Sequence, residues 1–225
     1  MGRQGQPEMI HRHDQHAGFT LIEIGIVIVI IGFLLAAVVK GQSLLSSAKV
    51  HDIIAISQDL SSSIRDFKQR YHMYPGDMSI NAATPEIPGV STQPGQTGQC
   101  LAGGANAGNS NGIIDASESP CVPEVLGRSG FISKLSTDPT TLLYAIKTPY
   151  GPASVMASSV ALSLYGILMP PTVLNVLILT NLPCEIATEI EGKLDDGSLA
   201  AGNVRASVTT CTPSGPPVPF FAIGL

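Results

Sequence analysis

The chain has 225 residues, of which 44% are hydrophobic and only 13% charged, with a formal net charge of −5. That balance excludes a disordered chain, which needs low hydrophobicity and high charge, and leaves room for one modest domain beside an anchor. The acid surplus also counts against a nucleic-acid partner, because a phosphate backbone is met by basic side chains.

Residues 1–18 carry Arg3 and Arg12 against Glu8 and Asp14, with His11, His13 and His16 near the end, and read as a leader. The next 21 residues, Phe19 to Val39, hold one charge, Glu23. As a helix rising ~1.5 Å per residue this segment spans roughly 31 Å, about the thickness of a bilayer's hydrocarbon core. It therefore reads as a transmembrane anchor. A lone ionised carboxylate there costs on the order of 2–3 kcal/mol, so Glu23 calls for a partner. Two plainer readings stay open: a secretory signal peptide, for which Ser46-Ser47-Ala48 offers small residues at a cleavage spacing, and a signal anchor of an unrelated exported protein. Against the first, the apolar run exceeds the usual ~7–15 residues and contains a glutamate.

Beyond Val39 no proline or turn cluster stops the helix. Leu45, Ile53, Ile56, Leu60, Ile64, Phe67 and Tyr71 fall mainly on one helical face, with Asp52, Asp59, Arg65, Asp66, Lys68 and Arg70 largely elsewhere. One helix is predicted from Phe19 to about Met73. Tyr74-Pro75-Gly76-Asp77 ends it, since the residue before proline avoids helical angles and Pro-Gly favours a turn.

Met78 to about Ser119 is rich in Gly, Pro, Ser, Thr and Asn and reads as a long surface loop. Within it Asn106, Asn109, Asn111, Asp115 and Glu118 form an oxygen-rich stretch beside glycines, and Asn109, Asn111 and Asp115 are the candidate ligands for Ca²⁺. The spacing does not fit an EF-hand loop and asparagines bring no charge, so an ordinary polar loop is the plainer reading; otherwise no cofactor is expected. Pro120 to Leu135 reads as a short, interrupted helix. Alternation in Leu142–Lys147, Ala153–Ala157, Val160–Met169 and Val173–Thr180 predicts antiparallel strands. Leu182–Leu194 reads as a helix with Pro183 in its first turn, Asp195-Asp196-Gly197 as a turn, and Asn203–Cys211 as the final strand. Four cysteines, Cys100, Cys121, Cys184 and Cys211, all follow the anchor, where an exported domain meets an oxidising compartment. They allow three pairings, of which the sequential one is favoured.

Gly18-Phe19-Thr20-Leu21-Ile22-Glu23 and the apolar run behind it resemble the N-terminus of type IV pilins and of the type II secretion pseudopilins. The resemblance covers Gly18 to about Val39 strongly and the remainder weakly. It implies cleavage between Gly18 and Phe19 by a prepilin peptidase and N-methylation of Phe19. It further implies extraction from the inner membrane by an assembly platform and ATPase into a polymer of this chain or of related pilins. In that family Glu23 would pair with the freed amino group of Phe19 on a neighbouring subunit. The implied fold is α+β, a long N-terminal helix, transmembrane in its first half, packed against a small antiparallel sheet. The implied division is a leader over 1–18, a helix over 19–74 and a disulfide-stapled head over 75–225. A Cys184–Cys211 bridge would resemble the C-terminal disulfide loop of many type IV pilins. Lys40 stands where such pilins often carry proline.

Tyr71–Asp77 and Glu189–Gly197 also look similar to a group of pilin-like proteins with Tyr-Pro-Gly-Asp after the long helix and Leu-Asp-Asp-Gly late in the head. Helix stop and turn are the plain readings of these two motifs. No enzyme is expected: beyond the leader only His51 and His72 remain, both on the long helix, so the head has no His-based triad or zinc site. From Pro75 onward five Lys/Arg face eleven Asp/Glu, a balance that repels DNA. The functional expectation is thus a structural pilus or pseudopilus subunit, membrane-borne before assembly and periplasmic or at the cell surface after it. The alternative is a signal-anchored extracytoplasmic binding module, a calcium- or DNA-binding minor pilin of an uptake system.

Overall fold

The computed structural model describes residues 20–79, 87, 92–93, 96–97, 100, 107–133, 135–137 and 144–225. In chain order it contains helix α1 (Leu21–Tyr71), a two-stranded hairpin β1 (Thr92–Gln93) and β2 (Gln96–Thr97), a 3₁₀ turn (Ser119–Cys121) and helix α2 (Val122–Arg128). Strands β3 (Leu135–Thr137), β4 (Tyr144–Thr148) and β5 (Gly151–Ala157) follow, then helix α3 (Ser158–Tyr165), strand β6 (Asn175–Leu182), helix α4 (Cys184–Leu194), and strands β7 (Val204–Ala206) and β8 (Val218–Gly224). The contacts divide the chain into two units, Met1–Leu45 and Ser46–Leu225.

The described part of the first unit is the apolar start of α1. Every residue from Thr20 to Leu45 is exposed, so these side chains have no core of their own. Among the described residues α1 is the one helix long and apolar enough to cross a membrane.

In the second unit the rest of α1 turns amphipathic. Val50, Ile53, Ile56, Leu60, Ile64 and Phe67 recur every three or four residues and are buried, which is the stripe a helix presents to a core. They share that core with Val155, Leu177, Leu179, Ile186, Ile190, Val218, Phe221 and Ile223 from the sheet and α4. The sheet is six-stranded and antiparallel throughout, in the order β3-β4-β5-β6-β8-β7. Its opposite face buries Met156, Val176, Ile178 and Ala222 with Ala161, Ile167 and Met169. Central strand β6 is thus covered on both sides, which is why Val176–Leu179 reads as an unbroken apolar run rather than an alternation. The fold is α+β, a long N-terminal helix with a small antiparallel sheet.

Three expectations are corrected. Val160–Met169 is not a strand: Ser158–Tyr165 forms α3, which Gly166 ends in the left-handed conformation (φ +69°). An eight-residue helix whose fully buried position is Ala161 leaves apolar residues on several sides, and so imitates alternation. Asn203–Cys211 shrinks to the three residues of β7, and Cys211 lies beyond it. The final strand is β8, hidden in the sequence behind Thr212-Pro213-Ser214-Gly215-Pro216-Pro217 and carrying Pro219 inside it. The ladder tolerates that proline because β6 and β8 pair through Thr180↔Phe220 and Leu182↔Val218, leaving Asn181 opposite Pro219 without a bridge. Asn181 takes φ +52° there, so the missing N–H falls where pairing is already interrupted.

Candidate functional site

Two places carry the candidate residues. At the start of α1, Thr20 and Glu23 form a reciprocal cap. The Glu23 carboxylate accepts the Thr20 backbone N–H at 3.1 Å and the Thr20 hydroxyl at 3.0 Å, and the Glu23 N–H donates to Thr20 Oγ1 at 3.3 Å. This is the Thr-x-x-Glu capping box, which satisfies helix N-terminal donors that lack intrahelical partners. A carboxylate in the first turn also meets the positive end of the helix dipole. Glu23 therefore has a neutral local partner, Thr20, that the sequence reading passed over, although the Thr-x-x-Glu spacing is a legible signal. Gly18 and Phe19 lie outside the described residues.

The second place is built by the turn after α1 and the loop before α2. The Asp77 carboxylate, 1% exposed, accepts the Asn111 N–H at 2.8 Å and the Gly112 N–H at 2.9 Å. The Ser110 N–H donates to the Asp77 carbonyl at 2.9 Å. Glu118, 0% exposed, accepts the backbone N–H groups of Asn109 and Asp115, each at 2.9 Å. Asn109 and Asn111 each donate a side-chain N–H to Asp115 Oδ2 at 2.8 Å. Their own Oδ1 atoms accept the N–H groups two residues on, those of Asn111 and Ile113. Ile114 is fully buried, and its carbonyl accepts the Ala157 N–H at 2.9 Å, which ties the loop to the end of β5. A Cβ on Gly108 would overlap the Asp77 backbone, so glycine is what lets the two segments meet.

The structure brings Asn109, Asn111 and Asp115 together with Glu118 of the same oxygen-rich stretch, and adds Asp77; Asn106 lies outside the described residues. The EF-hand comparison also needs correcting. In a frame running from Ala107 to Glu118, Asn109, Asn111, Gly112, Asp115 and Glu118 occupy the third, fifth, sixth, ninth and twelfth positions, those of an EF-hand calcium loop. The departure is the first position, Ala107, where that loop carries Asp. Asp77, 35 residues from Gly112, holds the loop's central amides instead. Sequence reasoning missed this because the missing aspartate comes from a distant turn.

Burial pushes the Glu118 carboxyl above its ordinary value, and the nearby Asp77 and Asp115 carboxylates push the same way, while the Asp115 and Asn109 N–H groups oppose them. Among the described residues the ion pairs are Arg128–Glu124 at 3.9 Å and Lys193–Glu189 at 2.8 Å, and neither involves this loop. No described group of three or more His, Cys, Asp or Glu converges tightly enough to hold a metal by those side chains alone. A cation here would draw instead on mixed carboxylate, amide and carbonyl oxygens, the donor set of calcium.

The cysteines are joined as Cys100–Cys121, with Cα atoms 5.6 Å apart, and Cys184–Cys211, 5.7 Å apart. The first bridge enters the 3₁₀ turn directly after Glu118; the second fastens the start of α4 to the segment after β7.

Residues 14–39 match the prokaryotic N-terminal methylation motif, so the N-terminus carries the prepilin-type signal of type IV pilins and pseudopilins. No curated protein and no solved structure matches the chain.

Proposed function

We propose that this chain is a pilin or pseudopilin subunit, cleaved between Gly18 and Phe19, N-methylated on Phe19, and drawn from the inner membrane into a polymer of itself or of related pilins. The leader, residues 1–18, is removed by a prepilin peptidase, and an assembly platform with its ATPase acts on the membrane-borne chain. The observation that carries this reading is the methylation motif over residues 14–39 set on a helix whose residues up to Leu45 are all exposed. Such a surface needs lipid or neighbouring subunits around it. Glu23 then has two roles: with Thr20 it caps α1, and across a subunit contact it pairs with the Phe19 amino group freed by cleavage. Removing one member of a buried pair typically costs ~3–5 kcal/mol, enough to stop assembly.

The test uses three variants and counts filaments by electron microscopy alongside membrane-bound protein. Glu23→Ala and Glu23→Gln should both leave a membrane protein at normal level with few or no filaments, whereas Thr20→Ala, which removes only the cap, should still assemble. Wild-type filament yield from Glu23→Gln would show that charge at Glu23 has no part in assembly.

A second reading concerns the head: the 107–118 loop with Asp77 binds calcium, within the same subunit or in a signal-anchored binding module. Asp77 reaching the amides of Asn111 and Gly112 favours it. Calcium should then raise the melting temperature of the full chain in detergent, and Asp77→Asn should reduce that rise. An unchanged melting temperature between calcium and chelator would remove this reading.

A further inference from the structure

Asn111 and Gly112, both exposed in the loop before α2, form the one Asn-Gly pair in the chain. Such a pair can modify itself: the glycine nitrogen attacks the side-chain carboxamide carbon, ammonia leaves, and a cyclic succinimide remains. A residue without a Cβ does not block that approach. Here the backbone calls for glycine, because Gly112 takes φ +90°, a left-handed conformation that side chains rarely adopt. The shape of the turn thus keeps a reactive neighbour beside Asn111.

Each group that the reaction needs is engaged elsewhere. The Gly112 N–H donates to Asp77 Oδ2 at 2.9 Å, and Asp77 is 1% exposed. The nitrogen must give up this proton as it attacks, which sets a developing negative charge against the Asp77 carboxylate; like charges disfavour that. Asp77 Oδ1 holds the Asn111 N–H as well, at 2.8 Å, so both peptide units of the pair are anchored to one side chain. On the other reactant, Asn111 Nδ2, the nitrogen that must leave, donates to Asp115 Oδ2 at 2.8 Å, and Asn111 Oδ1 accepts the Ile113 N–H at 3.0 Å. The carboxamide is pinned at both ends, and the tetrahedral carbon formed by attack cannot keep both contacts of the planar amide.

We infer that Asn111 is a site of spontaneous deamidation that Asp77 holds closed. When the loop opens, the step balances with water as its one co-reactant. The Gly112 nitrogen bonds to Asn111 Cγ, the Cγ–Nδ2 bond breaks, the amide proton departs with Nδ2 as ammonia, and water then opens the ring. Opening at one carbonyl gives an aspartate at position 111; opening at the other gives an isoaspartate, whose main chain runs through the former side chain. The aspartate meets Asp115 Oδ2 with a carboxylate in place of a donor, exchanging a hydrogen bond for like-charge repulsion. The isoaspartate inserts an extra carbon into the backbone before Gly112 and so displaces the Gly112 N–H from Asp77. Modification thus releases the loop, independently of the filament reading and of any bound cation.

The test is peptide mapping by mass spectrometry of the full chain in detergent micelles, aged in chelator at mildly alkaline pH with and without enough urea to unfold the head. It follows aspartate and isoaspartate appearing at position 111. In urea, wild type and Asp77→Asn should be modified at the same rate. Folded wild type should be about tenfold slower than in urea or slower still, and folded Asp77→Asn about tenfold faster than folded wild type, the scale of a hydrogen bond to a charged group. Cys184→Ser/Cys211→Ser, which lowers stability without removing a contact of this loop, should keep the wild-type rate, and Asn111→Asp should melt below wild type. Equal rates for folded Asp77→Asn and folded wild type overturn the inference, as does an equal acceleration in the cysteine variant, which would make general unfolding the cause. Equal melting of Asn111→Asp and wild type overturns the release of the loop. If Asp77→Asn does not fold, wild type decides alone: modification of Asn111 and hydrogen exchange of the Gly112 amide should both be about tenfold slower folded than in urea, and equality in either overturns the inference.

Discussion

Asp77 Oδ2 accepts the backbone N–H of Gly112 at 2.9 Å across 35 residues of chain. With Oδ1 on the Asn111 N–H, one buried carboxylate organises the loop that leads into α2. Hydrogen bonds to a charged group contribute ~1.5–3 kcal/mol each, so Asp77→Ala should lower stability by about 3 kcal/mol in urea unfolding, with or without calcium. A loss below about 1 kcal/mol would mean that the loop holds its shape without Asp77.

Two glycines should respond in opposite senses to the same substitution. Gly108 lies against the Asp77 backbone, which cannot give way as a flexible side chain would, and Gly108→Ala should destabilise by roughly 2 kcal/mol or more, as overpacking does. Gly192 sits inside α4 with nothing within 4 Å of an added Cβ, so Gly192→Ala should stabilise by about 0.5–1 kcal/mol through helix propensity alone. Thermal melts of the two variants check both signs.

The bridges close loops with sequence separations of 21 and 27 residues, and in the chain-entropy account each contributes ~3 kcal/mol. Cys184→Ser/Cys211→Ser should therefore lower the denaturation midpoint without changing where α1 inserts. Non-reducing peptide mapping of the wild-type chain should recover Cys100 with Cys121 and Cys184 with Cys211; a peptide joining Cys100 to Cys184 would contradict the structure.

Glu191 also sets an expected pH dependence in chelator. Burial raises its carboxyl above the ordinary value, and Asp196 and Asp195 add to the rise, while the approach of the Ser198 backbone N–H works against it. Because the folded state holds this proton more tightly than the unfolded chain, the group's contribution is fully present below about pH 4.3 and is lost as pH rises through the raised value. Subtracting Glu191→Gln from wild type should isolate a term that falls with rising pH; a difference that is flat from pH 4 to 8 would contradict it.

Much of this molecule is legible in its residues. The apolar run after Phe19, the periodic stripe from Ile53 to Phe67 and the Tyr74–Asp77 stop give α1 and its end directly, because each is a local signal. α3 was not legible, since eight residues with Val160, Leu162 and Leu164 satisfy a two-residue period as well as a helical one. β8 was hidden by the prolines around it, and only its partner β6, with the interruption at Asn181, explains how they are accommodated. The loop at 107–118 showed its oxygens but not its organisation, because Asp77 lies 30 residues before Ala107 in sequence. No local signal marks Glu191 as buried, because its burial depends on how α4 meets the core.

The central claim is that Glu23 acquires its charged partner only when cleavage frees the Phe19 amino group. Intact-mass and N-terminal peptide mass spectrometry of the chain purified from membranes and filaments tests it most directly. Processing as proposed gives a chain that begins at Phe19 and carries an added methyl group on its amino nitrogen. An intact Met1, or a chain that begins at Lys49, would contradict it.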